Sequence, residues 1–169
     1  MRITRYPSLS EPQFFGCAAA FVDALSGELN AATIALRRLS GRGKGAAFAF
    51  EMSLDTHRYG ALIVIDRWST LTGTFGPHLA LSRHPEILTR AAERVRSAEE
   101  ILGRANMIMD AAQDYSEEVV EACAMAYQTV GGIFAEERAE ADESAKLGPM
   151  LPEDYRDARR IFLEDLSAR

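Results

Sequence analysis

An unbroken heptad pattern between residues 88 and 112 is the feature that most constrains how this chain can fold. Its members are spaced alternately three and four residues apart: Leu88, Ala91, Val95, Ala98, Leu102, Ala105, Met109 and Ala112. This spacing predicts one long helix with a single apolar face. Because every second member is alanine, the helix should approach a neighbour near the lower end of the usual 8–10 Å range. We interpret the pattern as a helix-packing interface that closes either within one chain or between two chains.

A second long helix is predicted in the first quarter of the chain. Ser10 is a suitable N-cap, Glu11 and Pro12 suit a first helical turn, and Gly41 is a typical helix stop. The apolar spacing slips by one residue at Ser26-Gly27, where this helix could break and restart. Its apolar residues recur every three or four positions: Phe14, Ala18, Phe21, Leu25, Leu29, Ala32, Leu36 and Leu39.

Two more helices are predicted in the second half. Ser116 can cap a helix that ends near Gly148-Pro149, and Pro152 opens the last helix. The pair Gly131-Gly132 inside the first of these helices marks either a kink or a close crossing, or is incidental. The two apolar faces are Val120, Cys123, Tyr127, Val130 and Phe134 in the first helix, and Tyr155, Ala158, Phe162 and Leu166 in the second.

Between residues 46 and 65 the apolar period changes from that of a helix to that of a strand. Phe48, Phe50, Met52 and Leu54 alternate with smaller or polar residues, and 61–65 is a continuous, β-branched apolar run. These two segments predict a β-hairpin with its turn at 55–60. The Thr- and Gly-rich stretch 69–77 predicts a loop. Residues 1–6 and 78–81 are candidates for additional short strands, since two strands alone are marginally stable.

These elements predict a mainly α fold, a helical bundle of four to five helices with an inserted β-hairpin, in a single domain covering residues 1–169. The alternative is an α+β fold with a small antiparallel sheet. At 169 residues and 18.6 kDa, with 47% hydrophobic residues, the chain can bury a full core without metal or disulfide staples.

Charge and cysteine content narrow the function classes. Residues 1–84 have nine Lys and Arg against six Asp and Glu, a net charge of +3, whereas residues 85–169 have ten against nineteen, a net charge of −9. An acidic half argues against binding the phosphate backbone of a nucleic acid. No apolar segment approaches the ~20 residues that a membrane span needs. With two isolated cysteines and no signal-peptide pattern, we expect a soluble, cytoplasmic protein.

Few residues carry the pattern of a chemical site. The sequence Asp66-Arg67-Trp68 follows the predicted second strand, where Trp68 could stack on a ligand and Arg67 could bind its carboxylate or phosphate. The histidines His57, His78 and His84 are not spaced as metal ligands usually are, so no metal site is predicted. The candidate ligand-binding set is therefore His57, Asp66, Arg67, Trp68, His78 and His84, and no cofactor is predicted. The glycines and Lys44 of 41–45 do not match a phosphate-binding loop, because Ala46 stands where Ser or Thr is needed.

Three function hypotheses remain open. The leading one is a non-enzymatic interaction or assembly protein that acts through helix packing and homo-oligomerisation, with itself or another protein as partner. The second is a small ligand-binding protein or enzyme whose site lies near residues 57–84. The third is an acidic chaperone or adaptor for a cationic partner.

Overall fold

A computed structural model describes residues 11–75, 87–147 and 152–167, and these segments are almost entirely helical. The helices are α1 (Glu11–Leu39), α2 (Phe48–Phe75), α3 (Ile87–Ala111), α4 (Glu117–Leu147) and α5 (Pro152–Ser167). Within these ranges there is no β-strand, and the one β-type contact is an isolated bridge between Gly43 and Asp114. The prediction of a helical bundle is therefore confirmed, and the insertion of a hairpin is not.

Helix α1 lies at the centre of the bundle. It packs against α2, α4 and α5, and residues 14–22 are buried without interruption. A helix segment that is apolar on every side is one that other helices surround. The ring of Phe21 stacks on Trp68 of α2 at 5.0 Å between centroids and meets Phe134 of α4 edge-on at 4.9 Å. The helix continues without a break through Ser26-Gly27.

Helix α4 runs antiparallel to both α1 and α3. Asp23 near the start of α1 pairs with Arg138 at 3.2 Å, and Arg37 near its end pairs with Glu121 at 2.7 Å. On the other side of α4, Arg94 of α3 reaches Glu136 at 2.7 Å. Helix α4 is thus held between the central helix and α3.

The predicted β-hairpin is wrong, because residues 48–65 belong to α2. Of the alternating residues, Leu54 is buried and Phe50 is half-buried, but Phe48 and Met52 are exposed. The buried face instead follows a helical spacing of four, three, four and three: Leu54, Arg58, Ala61, Ile65 and Trp68. A charged residue, Arg58, occupies one of these core positions, and it conceals the helical period in the sequence.

The predicted loop at 69–77 is also wrong over the part that the structure describes, since α2 continues to Phe75. Thr72 lies inside this last segment, where its hydroxyl donates to the carbonyl of Trp68 at 3.0 Å. Its polar group is thus satisfied within the helix itself. Residues 76–77, and the candidate strands 1–6 and 78–81, lie outside the described residues.

The heptad face of α3 is used inside the chain. Ala91, Val95, Ala98, Leu102, Ala105 and Met109 are buried, Leu88 is half-buried, and Ala112 follows the end of the helix at Ala111. Helix α3 packs mainly on α4 and less extensively on α2. The small alanines bring the two helices together where the thiol of Cys123 donates to the carbonyl of Ala105 at 3.5 Å.

The two described connections between helices meet at one end of the bundle. The amide of Gly41 donates to the carbonyl of Tyr115 at 2.7 Å, and the amide of Tyr115 donates to Arg42 at 2.9 Å. Gly41 adopts a φ of +79°, which suits glycine at a helix C-terminus. Lys44 then donates from Nζ to the carbonyl of Met109 at 2.7 Å and satisfies the last turn of α3.

Ser116 caps α4 as predicted, and its hydroxyl accepts the amide of Val119 at 3.3 Å. Throughout the described residues, no helix has the combination of length and apolar character that crossing a membrane requires.

Candidate functional site

The residues predicted to bind a ligand do not meet in one place. His57, Asp66, Arg67 and Trp68 all lie on α2, and His78 and His84 lie outside the described residues. His57 and Asp66 are nine residues apart, which places them about 13 Å apart along the helix axis and on opposite faces. Asp66 is exposed, Arg67 is half-buried and Trp68 is fully buried. At the end of a strand, Asp66, Arg67 and Trp68 could have converged on a ligand. On a helix, consecutive side chains point in directions about 100° apart, so these three do not converge.

His57 pairs with a residue of α1 instead. Its Nδ1 lies 2.7 Å from Oε2 of Glu28, and both side chains are about one-third exposed. Gly60 makes room for this contact, because a Cβ at that position would lie 2.6 Å from the same Glu28 oxygen. The His57–Glu28 pair therefore links α2 to α1 and is a structural contact between two helices.

Trp68 is part of the aromatic core. Besides stacking on Phe21, its ring lies 5.3 Å from that of Phe14 and 6.5 Å from that of Phe162 on α5. These contacts bring α1, α2 and α5 together. Its indole nitrogen is buried and has no hydrogen-bond partner of good geometry among the described residues.

Glu137 is the polar side chain that lies next to this indole. It is only 4% exposed, and Nη1 of Arg94 is 3.4 Å from its Oε1. Burial raises the pKa of Glu137 to about 7, although Arg94 and the N–H of Trp68 both act to lower it. Sequence reasoning missed this residue, because Glu136-Glu137 looks like a solvated pair when the position of the core is unknown.

A small cavity adjoins Glu137. It has a volume of about 10 Å³ and is lined by Phe14, Phe15, Ala18, Trp68, Ala91, Glu137 and Glu140. That space suits about one water molecule and no substrate. A carboxyl that titrates near neutral pH could exchange a proton there, but this cavity admits nothing larger for it to act on.

A second polar cluster surrounds Arg58. Its guanidinium donates to Asp55 at 2.9 Å, to Asn106 at 3.3 Å and to Asp110 at 3.0 Å, although the side chain is only 8% exposed. Burial lowers the pKa of Arg58, but Asp110 and Asp55 outweigh it and hold that pKa above its ordinary value. The cluster ties the first half of α2 to the last turns of α3.

Tyr115 and Glu51 extend this cluster to the connecting loops. The Tyr115 hydroxyl donates to Oε2 of Glu51 at 3.1 Å, and burial together with this bond raises the pKa of Tyr115 to about 12. Oε1 of Glu51 accepts the amides of Gly45 and Ala47 at 2.8 and 3.4 Å, which caps the start of α2. All of these groups are engaged with one another, so the cluster stabilises this end of the bundle.

The outer face of α2 carries four large apolar side chains, which we call the α2 apolar stripe: Phe48, Met52, Tyr59 and Ile63. They are 73%, 52%, 47% and 37% exposed. At 100° per residue they fall within an arc of about 60° on the side of the helix that faces away from the core. Sequence reasoning noticed Phe48 and Met52 but assigned them to a strand, and it read Tyr59 as part of a turn.

No group of His, Cys, Asp or Glu residues suitable for a metal ion is found among the residues that the structure describes. Comparison of the chain with family models, curated proteins and solved structures found no match.

Proposed function

We propose that this protein is a non-enzymatic interaction protein that binds another protein chain through the α2 apolar stripe. The observation that carries the proposal is the position of Phe48, Met52, Tyr59 and Ile63 on the face of α2 that points away from the core. Scattered exposed apolar residues are common, but a row of them along one helix face is typical of a docking surface.

The stripe replaces the α3 heptad pattern as the proposed contact surface. Val95, Leu102 and Met109 are already covered by the chain's own helices, so they offer no large apolar area to a partner. Phe48 and Met52 lie at the start of α2, where they are accessible and close to the connecting loop 40–47. We therefore still propose assembly through helix packing, but through α2 instead of α3.

The other two hypotheses have weaker support. A ligand site near 57–84 would need His57, Asp66 and Arg67 to converge, whereas they lie on different faces of α2. The acidic charge that a cationic partner would bind is already partly neutralised, because Glu136, Glu140 and Glu121 form ion pairs with arginines of this chain. A cytoplasmic location is part of our proposal, since both cysteines are buried thiols and suit a reducing compartment.

Site-specific photocross-linking in the expressing cell tests this proposal. Met52 is replaced by the photoreactive residue p-benzoylphenylalanine, and Met125, an exposed methionine of α4, is replaced in a matched control. We expect light-dependent protein adducts of defined mass from position 52 and none from position 125. Absence of an adduct at position 52, or equal adducts at both positions, would contradict the proposal.

A further inference from the structure

We propose that the partner of the α2 apolar stripe is the stripe of a second copy of this chain, packed antiparallel about a two-fold axis between Asp55 and Thr56. This inference rests on the proposed function and names its partner. A homodimer contact of this kind is isologous, so that the same surface must be complementary to itself.

The spacing of the stripe is symmetric in the way that such a contact requires. Phe48, Met52, Tyr59 and Ile63 are separated by four, seven and four residues. In an antiparallel pair centred between residues 55 and 56, Phe48 of each copy therefore faces Ile63 of the other, and Met52 faces Tyr59. Each contact joins an aromatic side chain to an aliphatic or thioether one. The order of these contacts along the pair is the same from either end.

Charges at the two ends of the stripe support the antiparallel direction. Asp66 is exposed one turn beyond Ile63 on the same face of α2. In the antiparallel pair it lies at the start of the other copy's α2, beside the exposed residues Arg42 and Lys44. A carboxylate is favoured there by these cations. In a parallel pair, Asp66 of each copy would instead face the same carboxylate of the other.

Negative charge at the centre of the pair is partly compensated. The two Asp55 carboxylates approach each other near the axis, but each forms an ion pair with Arg58 of its own chain at 2.9 Å. The guanidinium of Arg58 in turn lies over the ring of Tyr59, 4.7 Å from its centroid. Because Arg58 also pairs with Asp110 at 3.0 Å, it reduces the repulsion between the two Asp55 carboxylates without cancelling it.

The exposed area of the stripe suits a weak dimer. At 150–250 Å² for a large side chain, the four exposures leave roughly 400 Å² of the stripe accessible on each copy. That is about half of the ~800 Å² per partner that a stable interface buries, and flanking residues of α2 add to it. A contact of this size is typical of a weak, reversible complex.

Cysteine cross-linking tests both the contact and its direction. In the antiparallel pair, two copies of Thr56 lie on the same edge of the interface and are offset by about 1.5 Å along the axis. Thr70 is also exposed on this face of α2, but its two copies lie roughly 44 Å apart. We expect Thr56→Cys to form a covalent dimer with a short bismaleimide, and Thr70→Cys to form at least about tenfold less because of that separation. The native Cys17 and Cys123 are both buried, which limits their reaction.

Two substitutions in the Thr56→Cys protein show whether the cross-link depends on the stripe. Met52→Lys places a charge in the contact and should abolish the cross-link, whereas Met125→Lys makes the same change elsewhere and should leave it unchanged. Circular dichroism of both variants confirms that they are folded. A cross-link that survives Met52→Lys would overturn the proposed pairing.

The remaining outcomes separate this inference from the proposed function. Equal cross-linking of Thr56→Cys and Thr70→Cys would indicate a parallel pair and overturn the antiparallel inference. A monomer by native mass spectrometry at tens of micromolar, with adducts to a different protein from position 52, would overturn self-pairing and leave the proposed function intact. A monomer that forms no adduct from position 52 would overturn both.

Discussion

Glu137 has an unusual environment for a carboxylate, because its side chain is buried. It lies inside the bundle among the aromatic rings of Phe14, Phe15 and Trp68, and Arg94 is the cation that its oxygen contacts. The two other acids of this group, Glu136 and Glu140, accept hydrogen bonds from Arg94 at 2.7 and 3.5 Å, and Glu140 also pairs with Arg90. Since Arg94 is shared among three acids, it only partly compensates the charge of Glu137.

This environment predicts that stability falls as Glu137 ionises. Its pKa is raised from an ordinary value of 4.5 to about 7 in the folded protein, so the folded state holds the proton more tightly than the unfolded state. The resulting stabilisation is complete below pH 4.5 and is lost as the pH rises through 7. We expect Glu137→Gln, which mimics the protonated form, to match the wild type near pH 4.5 and to exceed its free energy of unfolding by up to ~3 kcal/mol at pH 8.5.

Urea denaturation at pH 4.5, 7 and 8.5 measures this difference. Glu136→Gln is the matched control, because its side chain is 77% exposed and its removal should change stability by less than ~1 kcal/mol at every pH. If the difference in free energy of unfolding between Glu137→Gln and the wild type were the same at all three pH values, ionisation of Glu137 would not be its cause.

Glycines of this chain differ in whether their lack of a side chain is needed. Gly132 is exposed inside α4, and a Cβ added there meets no atom within 4 Å. Gly132→Ala should therefore stabilise the protein by ~0.5–1 kcal/mol, because alanine loses less backbone entropy in a helix. Gly41→Ala should destabilise it by at least ~1 kcal/mol, because alanine disfavours a φ of +79°.

Thermal and urea denaturation of these two variants provide the measurement. The pair Gly131-Gly132 had three interpretations from sequence: a kink, a close crossing of another backbone, or an incidental pair. A loss of stability in Gly132→Ala would favour the close crossing and contradict the packing described above.

At the scale of the helices, the five elements differ in how firmly they are held. Helix α1 packs against three neighbours, whereas α3 packs mainly on α4 and less extensively on α2. An ion pair between Arg58 of α2 and Asp110 of α3 helps to hold α3 on α2, and the Asp110 side chain is more than half exposed. Elements with fewer buried contacts open without global unfolding.

Native-state hydrogen exchange should reveal this difference. We expect the slowest amides of α1 to exchange only by global unfolding, and those of α3 to exchange at least about tenfold faster through partial opening. Asp110→Asn, which weakens the link from α3 to Arg58, should accelerate exchange in α3 while leaving α1 nearly unchanged. Equal protection of α1 and α3 in the wild type would contradict this order.

Helix α2 demonstrates why an element can be misread from its sequence. The alternation of Phe48, Phe50, Met52 and Leu54 is typical of a strand, yet Phe48 and Met52 are apolar residues on an exposed helix face. The core position at Arg58 is charged, and Asp55 and Asp110 compensate that charge. Because one of these partners is 52 residues away in sequence, local patterns could not identify the helix.

At the scale of the whole molecule, the centre of the fold is α1 and not the helix with the clearest heptad pattern. Residues 14–22 contain no charged side chain, which is consistent with burial on every side of α1. The α3 pattern is strict because α3 faces solvent on its other side and must keep polar and apolar residues apart. A clear stripe thus marks a helix at the edge of a bundle.

The sequence by itself determined that the chain forms a mainly helical bundle, together with most helix ends. Ser116, Gly41 and Pro152 act through short-range geometry and backbone hydrogen bonds, so their positions predict where helices start and stop. The tertiary structure alone decided which helix is central, that residues 48–75 are helical, that Glu137 is buried and that the α2 apolar stripe is exposed. Burial depends on which faces meet, and that is set by packing between residues far apart in the chain, which no local pattern encodes.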